Sequence, residues 1–364
     1  MRVASAEVIP YALPFRVPYV TARGALRRRE MVLLRLRGKE GAVGLGEAVP
    51  LALRGGANLE TVVRELEALA AQIALLDPEG FAEDARAAVL SAPARCAVET
   101  ALWDLDERAR LPNDPDSGSK GNFGATAPGR EERRVVRCNA TLVAGEPVAV
   151  AAEAERWAAD GFATFKLKLG AGDDVGQVRA VRESLGPEAR IRVDANASWG
   201  VEEAARVLGA IEPYGIELVE QPIETLEEMA ELGARTQVPL AADESVASAA
   251  EARRAAELGA CALTGIKLSK VGGRPEAEAI MRELPGYLSS ALDGPVGIAA
   301  AALLAAEQGP PDEQPRAHGL ATERLFASSV AAVGPRLEGD LLQVPPGPGL
   351  GVEIDEDALQ AHRL

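Results

Sequence analysis

Five polar residues recur at a near-constant interval through the middle of the chain. Lys168, Asp194, Glu220, Asp243 and Lys267 are separated by 26, 26, 23 and 24 positions. Each ends a short apolar run: "FKLK", "RIRVD", "IELVE", "VPLAAD" and "LTGIK". Three carboxylates brought together would repel and raise one another's pKa. A hard divalent cation would relieve that repulsion, and an all-oxygen donor set suits Mg2+, with Mn2+ as the alternative. Two lysines flanking such a cation suit the removal of a proton next to a carboxylate. The product is a doubly negative enediolate. The cation can hold that charge, and a lysine whose pKa is lowered by burial and neighbouring positive charge can take the proton.

Strand parity sharpens this reading. In "ATFKLKLG" (163–170), Phe165 and Leu167 share one face and Lys166 and Lys168 the other. A buried ammonium is costly unless it is paired, so inward-facing lysines need acids opposite them. On an edge strand the same pair would simply be solvated, and Asp243 by itself could be a helix cap ahead of "ESVASAAEARR". Asn196, two residues beyond Asp194, falls on the same side and could support metal or substrate. Glu244 is a candidate supporting acid beside a lysine. Ser289 and Ser290, at the end of "GYLSS", could bind a substrate carboxylate.

The elements that must position these residues change character along the chain. Residues 1 to about 110 mix strand-like stretches ("RVASAEVIPYALPF", "MVLLRLRG") with later helical ones ("NLETVVRELEALAAQIALL", "ARCAVETALWDLDERA"), an α+β unit. Leu111–Glu132 is rich in Gly, Pro, Asp and Ser and reads as a flexible connection. From about residue 133 to 334, apolar strand-like runs alternate with Ala/Glu/Arg-rich helical runs, the pattern of a parallel sheet with helical crossovers. In a closed barrel, successive strand ends lie around one rim, so all five polar residues converge; an open sheet would spread them along a line. Convergence therefore argues for a barrel. Residues 335–364 form a tail expected to pack on the N-terminal unit.

Composition excludes several classes of partner. The chain has 364 residues, 47% hydrophobic and 26% charged, with a net charge of −16. Such a surface repels nucleic acid and anionic lipid, and an anionic substrate requires cations concentrated locally. Cys96, Cys138 and Cys261 show neither metal-type spacing nor a disulfide framework. The start carries no signal-peptide core, and the longest apolar run, "PVGIAAAALLAA", is too short for a bilayer of about 30 Å. A cytoplasmic protein acting on a small carboxylate is the expectation.

The motifs "KLK" (166–168), "DAN" (194–196), "VEQP" (219–222), "ADES" (242–245) and "IKLSKVGG" (266–273) resemble the enolase superfamily, in particular its muconate-lactonizing subgroup. That resemblance covers nearly the whole chain. It implies an α/β fold, a modified (β/α)7β TIM-type barrel under an N-terminal α+β capping domain. It implies Asp194, Glu220 and Asp243 as metal ligands, Lys168 and Lys267 as the acid/base pair, and Lys166 as the group that orients the substrate carboxylate. Relatives of this kind often form homo-oligomers. The mandelate-racemase subgroup is disfavoured, because its late His–Asp pair has no counterpart: only His318 and His362 occur, and His318 reads as packing.

Within the subgroup, "YLSSALDGPVGIAAAALLAA" followed by "AHGLAT" is similar to the o-succinylbenzoate synthases of menaquinone biosynthesis. The reaction implied is a syn dehydration. Lys168 would take the α-proton and return it to the departing hydroxyl, and Lys267 would stabilise the enediolate from the opposite face. The alternatives are racemisation of N-succinylamino acids or epimerisation of dipeptides, then cycloisomerisation of muconate, then a barrel that only binds metabolites. Dipeptide epimerases usually carry an Asp-x-Asp pair after the last strand, and "AHGLATERLF" has none. Substrate choice is expected in cap loops 16–30, with Arg23, Arg27, Arg28 and Arg29, and 51–60, with Gly55 and Gly56 as hinges. The chain departs from the subgroup's pattern at Leu111–Glu132, where relatives have a shorter, more apolar connection.

Overall fold

Near the N-terminus, three stretches form an antiparallel meander: β1 (Val3–Thr21), rich in β-branched and aromatic residues, β2 (Gly24–Gly38), whose apolar half is Leu-rich, and β3 (Val43–Ala48). The computed structural model describes residues 3–21, 24–52, 55–73, 81–110, 134–310, 312 and 316–364. The connection expected at Leu111–Glu132 and the side chain of Arg23 lie outside the described residues. Three helices follow the meander: α1 (Leu59–Gln72), α2 (Phe81–Ala87) and α3 (Ala92–Ala109). α3 lies directly on β3, because Gly44 and Gly46 leave no side chain between them. A Cβ at Gly46 would stand 1.9 Å from the carbonyl oxygen of Ala97. Of the expected loop 16–30, residues 16–21 end β1 and residues 24–30 begin β2, and the two strands pair there with a register shift between Pro14 and Tyr19. The expected second loop turns at Gly55, whose φ of +74° favours glycine, and closes through Leu51 N–H donating to Ala57 O.

"VVRCNATL", which reads as one strand, is two: β4 (Val135–Arg137) and β5 (Ala140–Leu142). The chain then alternates as the periodicity requires. The sequence of elements is α4 (Pro147–Ala159), β6 (Thr164–Lys168), α5 (Asp174–Leu185), β7 (Arg190–Asp194), α6 (Val201–Ile211), β8 (Ile216–Glu220), α7 (Leu226–Gly233), β9 (Leu240–Ala242), α8 (Ala249–Leu258) and β10 (Leu263–Ile266). A single-turn α9 (Leu268–Val271), α10 (Arg274–Glu283), β11 (Gly286–Leu288) and α11 (Pro295–Ala306) complete the run. β5 to β11 make one parallel sheet in sequence order. The eighth stave is His318–Gly319. Gly319 bridges Ser289 beyond β11, and His318 bridges Cys138 ahead of β5, so the sheet closes on itself. This is a (β/α)7β barrel with an N-terminal cap. Phe165, Leu167, Ile191, Val193 and Val219 face outward into the main apolar core.

The tail forms β12 (Ala331–Val333), β13 (Arg336–Glu338), β14 (Leu341–Gln343), β15 (Glu353–Ile354) and α12 (Glu356–His362). β14 pairs with β4 beneath the barrel, whereas Arg35 of the cap holds Glu356 at 2.6 Å and Asp104 of α3 accepts Leu350 N–H. The tail thus touches both units. No helix among the described residues is long and apolar enough to cross a membrane.

One buried acid joins cap to barrel. Glu47, on β3, accepts Gly294 N–H at the start of α11 at 2.6 Å and Tyr11 O–H at 2.8 Å. Burial, with Asp293 nearby, pushes its carboxyl from the ordinary 4.5 up to about 8, against the pull of those hydrogen bonds. A carboxyl whose folded pKa is raised contributes stability that is complete below the unfolded pKa and is lost as pH rises through the folded one. We expect urea unfolding to show the wild type losing on the order of 2 kcal/mol between pH 6 and pH 9 relative to Glu47→Gln. Parallel pH profiles for the two proteins would refute this assignment.

Candidate active site

Parity and strand order put the predicted residues on one floor. Lys166 and Lys168 point inward from β6, Asp194 ends β7, Glu220 ends β8, Asp243 follows β9 and Lys267 follows β10. All six are buried. Lys168 and Lys267 belong to the second and sixth of eight staves, so they face one another across the mouth. Asp243 is not a helix cap: Ser248 caps α8. Its carboxylate instead meets Lys267 through one oxygen and Lys270, at 2.9 Å, through the other.

The ammonium groups stand between the acids. Lys166 Nζ bridges Asp194 at 2.8 Å and Glu220 at 2.6 Å. Lys168 Nζ lies 2.6 Å from Asp194 and 3.0 Å from Asn196 Oδ1. Lys267 lies between Asp243 and Glu220, 4.0 Å from Glu220 Oε1. With ammoniums in the gaps, no three acid, histidine or cysteine side chains among the described residues stand close enough to clasp a metal as arranged. The donors nevertheless fit a hard cation. They are three carboxylates, and Glu220 Oε1 is buried without accepting any hydrogen bond. Asp194, Glu220 and Asp243 are the residues that could hold Mg2+ or Mn2+.

The charges set the protonation states. Burial is the largest influence on Asp194 and would raise its pKa, but Lys166 and Lys168 together hold the carboxyl well below its usual range. Burial likewise pulls Lys168 down, yet Asp194 leaves it above its usual value. The sequence-based expectation of a lowered lysine pKa is therefore not met in this arrangement, because the acid beside Lys168 is paired with it. With Asp194 engaged by a divalent cation instead, burial would be left to lower it. Lys166, expected on the substrate carboxylate, is committed to two acids, though it also lines the cleft.

Above this floor lies a cleft lined by both the barrel and the cap. Thr141, Asn196, Ser289, Ser290 and Thr322 line it from the barrel, and Tyr19, Leu26, Arg29 and Leu51 from the cap. Ser290 is partly spent: its hydroxyl donates to Asp293 and accepts Asp293 N–H, both at 2.8 Å. Asn196 Nδ2 donates to Glu244 at 3.2 Å. Of the cap arginines, Arg29 lines the cleft, whereas Arg27 and Arg28 are exposed and Arg28 pairs with Glu30. His318 is structural: its Nδ1 accepts Leu288 N–H, and burial with Arg192 nearby lowers its pKa to about 3.

Sequence reasoning missed four supports. Lys270 sits three residues after Lys267 within "IKLSKVGG" and had a visible signal. Tyr287 has inward parity with Ser289 and donates its hydroxyl to Glu220. Asp293 organises the serine loop, accepting Ala291 N–H at 2.6 Å. Gln221 sits at φ +37°, a conformation rare outside glycine. Its Oε1 accepts Asp243 N–H at 2.7 Å and Ser245 N–H at 3.2 Å, which ties the end of β8 to the acid after β9. Gln221→Leu would orphan those buried donors, and we expect a loss of about 2 kcal/mol in urea unfolding. An unchanged midpoint would show that the tie is dispensable.

Comparison with known proteins agrees with this architecture. Residues 4–113 match the mandelate racemase / muconate lactonizing enzyme N-terminal domain, and residues 149–358 the enolase C-terminal domain-like family. The chain is 38% identical over 206 residues to an o-succinylbenzoate synthase of Thermobifida fusca, a stretch covering 54% of this chain and 63% of that enzyme. It is 30% identical to muconate cycloisomerase 1 of Acinetobacter baylyi, over 99% of each chain. A solved dipeptide epimerase from Enterococcus faecalis, complexed with Mg and L-Leu-L-Tyr, superposes with a TM-score of 0.84 at 27% identity, over 97% of this chain and all of that one. Three different reactions are represented among these relatives.

Proposed function

The chain belongs to the mandelate racemase / muconate lactonizing enzyme family of the enolase superfamily, and we propose that within it the protein abstracts an α-proton from a dicarboxylate and acts as an o-succinylbenzoate synthase. The observation that carries this reading is the charge of the cleft wall. Lys166, Lys168, Lys267 and Arg29 line it, and no aspartate or glutamate is among the described lining residues. A substrate ammonium, as on a dipeptide, would find no acid there. A second substrate carboxylate would find cations and the hydroxyls of Thr141 and Ser289. The 38% identity to the Thermobifida fusca enzyme supports the same choice.

Lys168 Nζ, as free amine, takes the α-proton, and the C–H electron pair passes into the carboxylate as an enediolate. A divalent cation held by Asp194, Glu220 and Asp243 would supply the positive charge that stabilises it. Lys267 faces the same intermediate from the opposite stave. As the enediolate collapses, its electron pair forms the new double bond, the C–O bond breaks, and Lys168 returns its proton to the leaving hydroxyl as water. The lysine ends as it began, so the step balances without another reagent.

Opposed lysines also suit a two-base racemisation, which makes N-succinylamino acids the second reading. They too carry two carboxylates. A side-by-side assay should show dehydration outpacing α-deuterium exchange into N-succinylamino acids, and both outpacing exchange into dipeptides; faster dipeptide exchange would refute the argument from charge. Lys168→Ala should lower kcat by about a thousandfold while circular dichroism stays unchanged; an active variant would overturn the assigned role. Dialysis against a chelator should abolish turnover and added Mg2+ restore it, and full activity after chelation would remove the metal from the reading.

A further inference from the structure

Tyr287 reaches across the barrel to the acid floor. It sits on β11, yet its hydroxyl donates to Glu220 Oε2 on β8, with β9 and β10 between them in the sheet. The reach is open because Gly265, its parallel partner on β10, has no side chain. A Cβ there would lie 3.3 Å from the Tyr287 hydroxyl oxygen and 3.6 Å from the Glu220 carboxyl carbon. The phenol thus occupies the space that any other residue at position 265 would fill.

The ring is fixed on its other sides. Leu218, Ala241 and Leu263 pack with it as an inner layer of the barrel. The Arg192 guanidinium lies 5.2 Å from the ring centroid, within the range of a cation–π contact. Arg192 is itself held by Glu217 and by the Ala317 carbonyl oxygen, each at 2.7 Å. Lys166 bonds the same Glu220 oxygen at 2.6 Å. Both donors therefore converge on Oε2, whereas Oε1 accepts no hydrogen bond and has the Lys267 ammonium 4.0 Å away.

We propose that Tyr287 is a positioning residue for Glu220: with Lys166 it fastens Oε2, so that Oε1 is presented to a divalent cation. This rests on the reading of Asp194, Glu220 and Asp243 as the metal-holding set. Groups that hydrogen-bond a metal-holding carboxylate orient it and tune the affinity of the site for metal.

The test is calorimetric titration of Mn2+ into metal-free protein. Tyr287→Phe keeps the ring and its packing and removes only the hydroxyl. We expect its Mn2+ affinity to fall by about tenfold, with the Mg2+ concentration for half-maximal activity rising in step and kcat at saturating Mg2+ little changed. Gly265→Ala, which crowds the hydroxyl without removing it, should shift affinity the same way and carries the test if Tyr287→Phe fails to fold. Wild-type Mn2+ affinity in the tested variant overturns this inference and leaves the reading of the three acids standing. A wild-type protein that binds no Mn2+ overturns both.

Discussion

Three carboxylates buried on one barrel floor cannot remain ionised without positive charge in contact with them. Asp194, Glu220 and Asp243 meet four ammonium groups, from Lys166, Lys168, Lys267 and Lys270. The four cations outnumber the three acids by one. A chain with a net charge of −16 therefore carries a locally positive cleft, and such a cleft can concentrate an anionic substrate against the field of the surface. Removing Asp194 or Asp243 would leave a buried ammonium uncompensated, whereas Asp194 keeps its contact with Lys166 if Lys168 is lost.

The fold exists to bring these groups into contact. Each acid sits at the carboxyl end of its own strand, and closure of the sheet by His318–Gly319 turns a row of strand ends into a ring. Backbone strain collects at the same ends. Asn196, Ala197, Gln221 and Leu292 are the non-glycine residues with positive φ among the described residues, and each follows a strand of the barrel. Local strain of this kind persists where the surrounding structure over-determines it, as Gln221 shows through its bonds to Asp243 and Ser245. The cap is clamped through Glu47 to the start of α11, directly after the serine loop. Cleft-lining residues of the cap and of the barrel are thereby referred to one frame.

Relatives similar to this chain over much of its length are named for different reactions. Here the walls offer cations and hydroxyls, and the groups that steady the floor from below, such as Tyr287 beside Gly265, come from a deeper layer of the barrel. Wall and support are separate layers of side chains.

Much of this is legible in the order of the amino acids. The beat of polar residues at strand ends, the inward parity of Lys166 and Lys168, and the alternation of strand and helix depend on short-range periodicity, which the chain displays in order. The barrel and the cap follow from that periodicity together with the matching motifs. Tertiary structure alone decided the rest. The Tyr287–Glu220 bond joins residues 67 positions apart, and the Glu47 clamp spans 247. The split of "VVRCNATL" into two strands depends on pairing of its first half with the tail at β14. The protonation of Lys168 depends on which acid it touches. A sequence displays which residues share a face of their own strand. Which strand faces them, and which partner neutralises a buried charge, is settled only when distant segments pack.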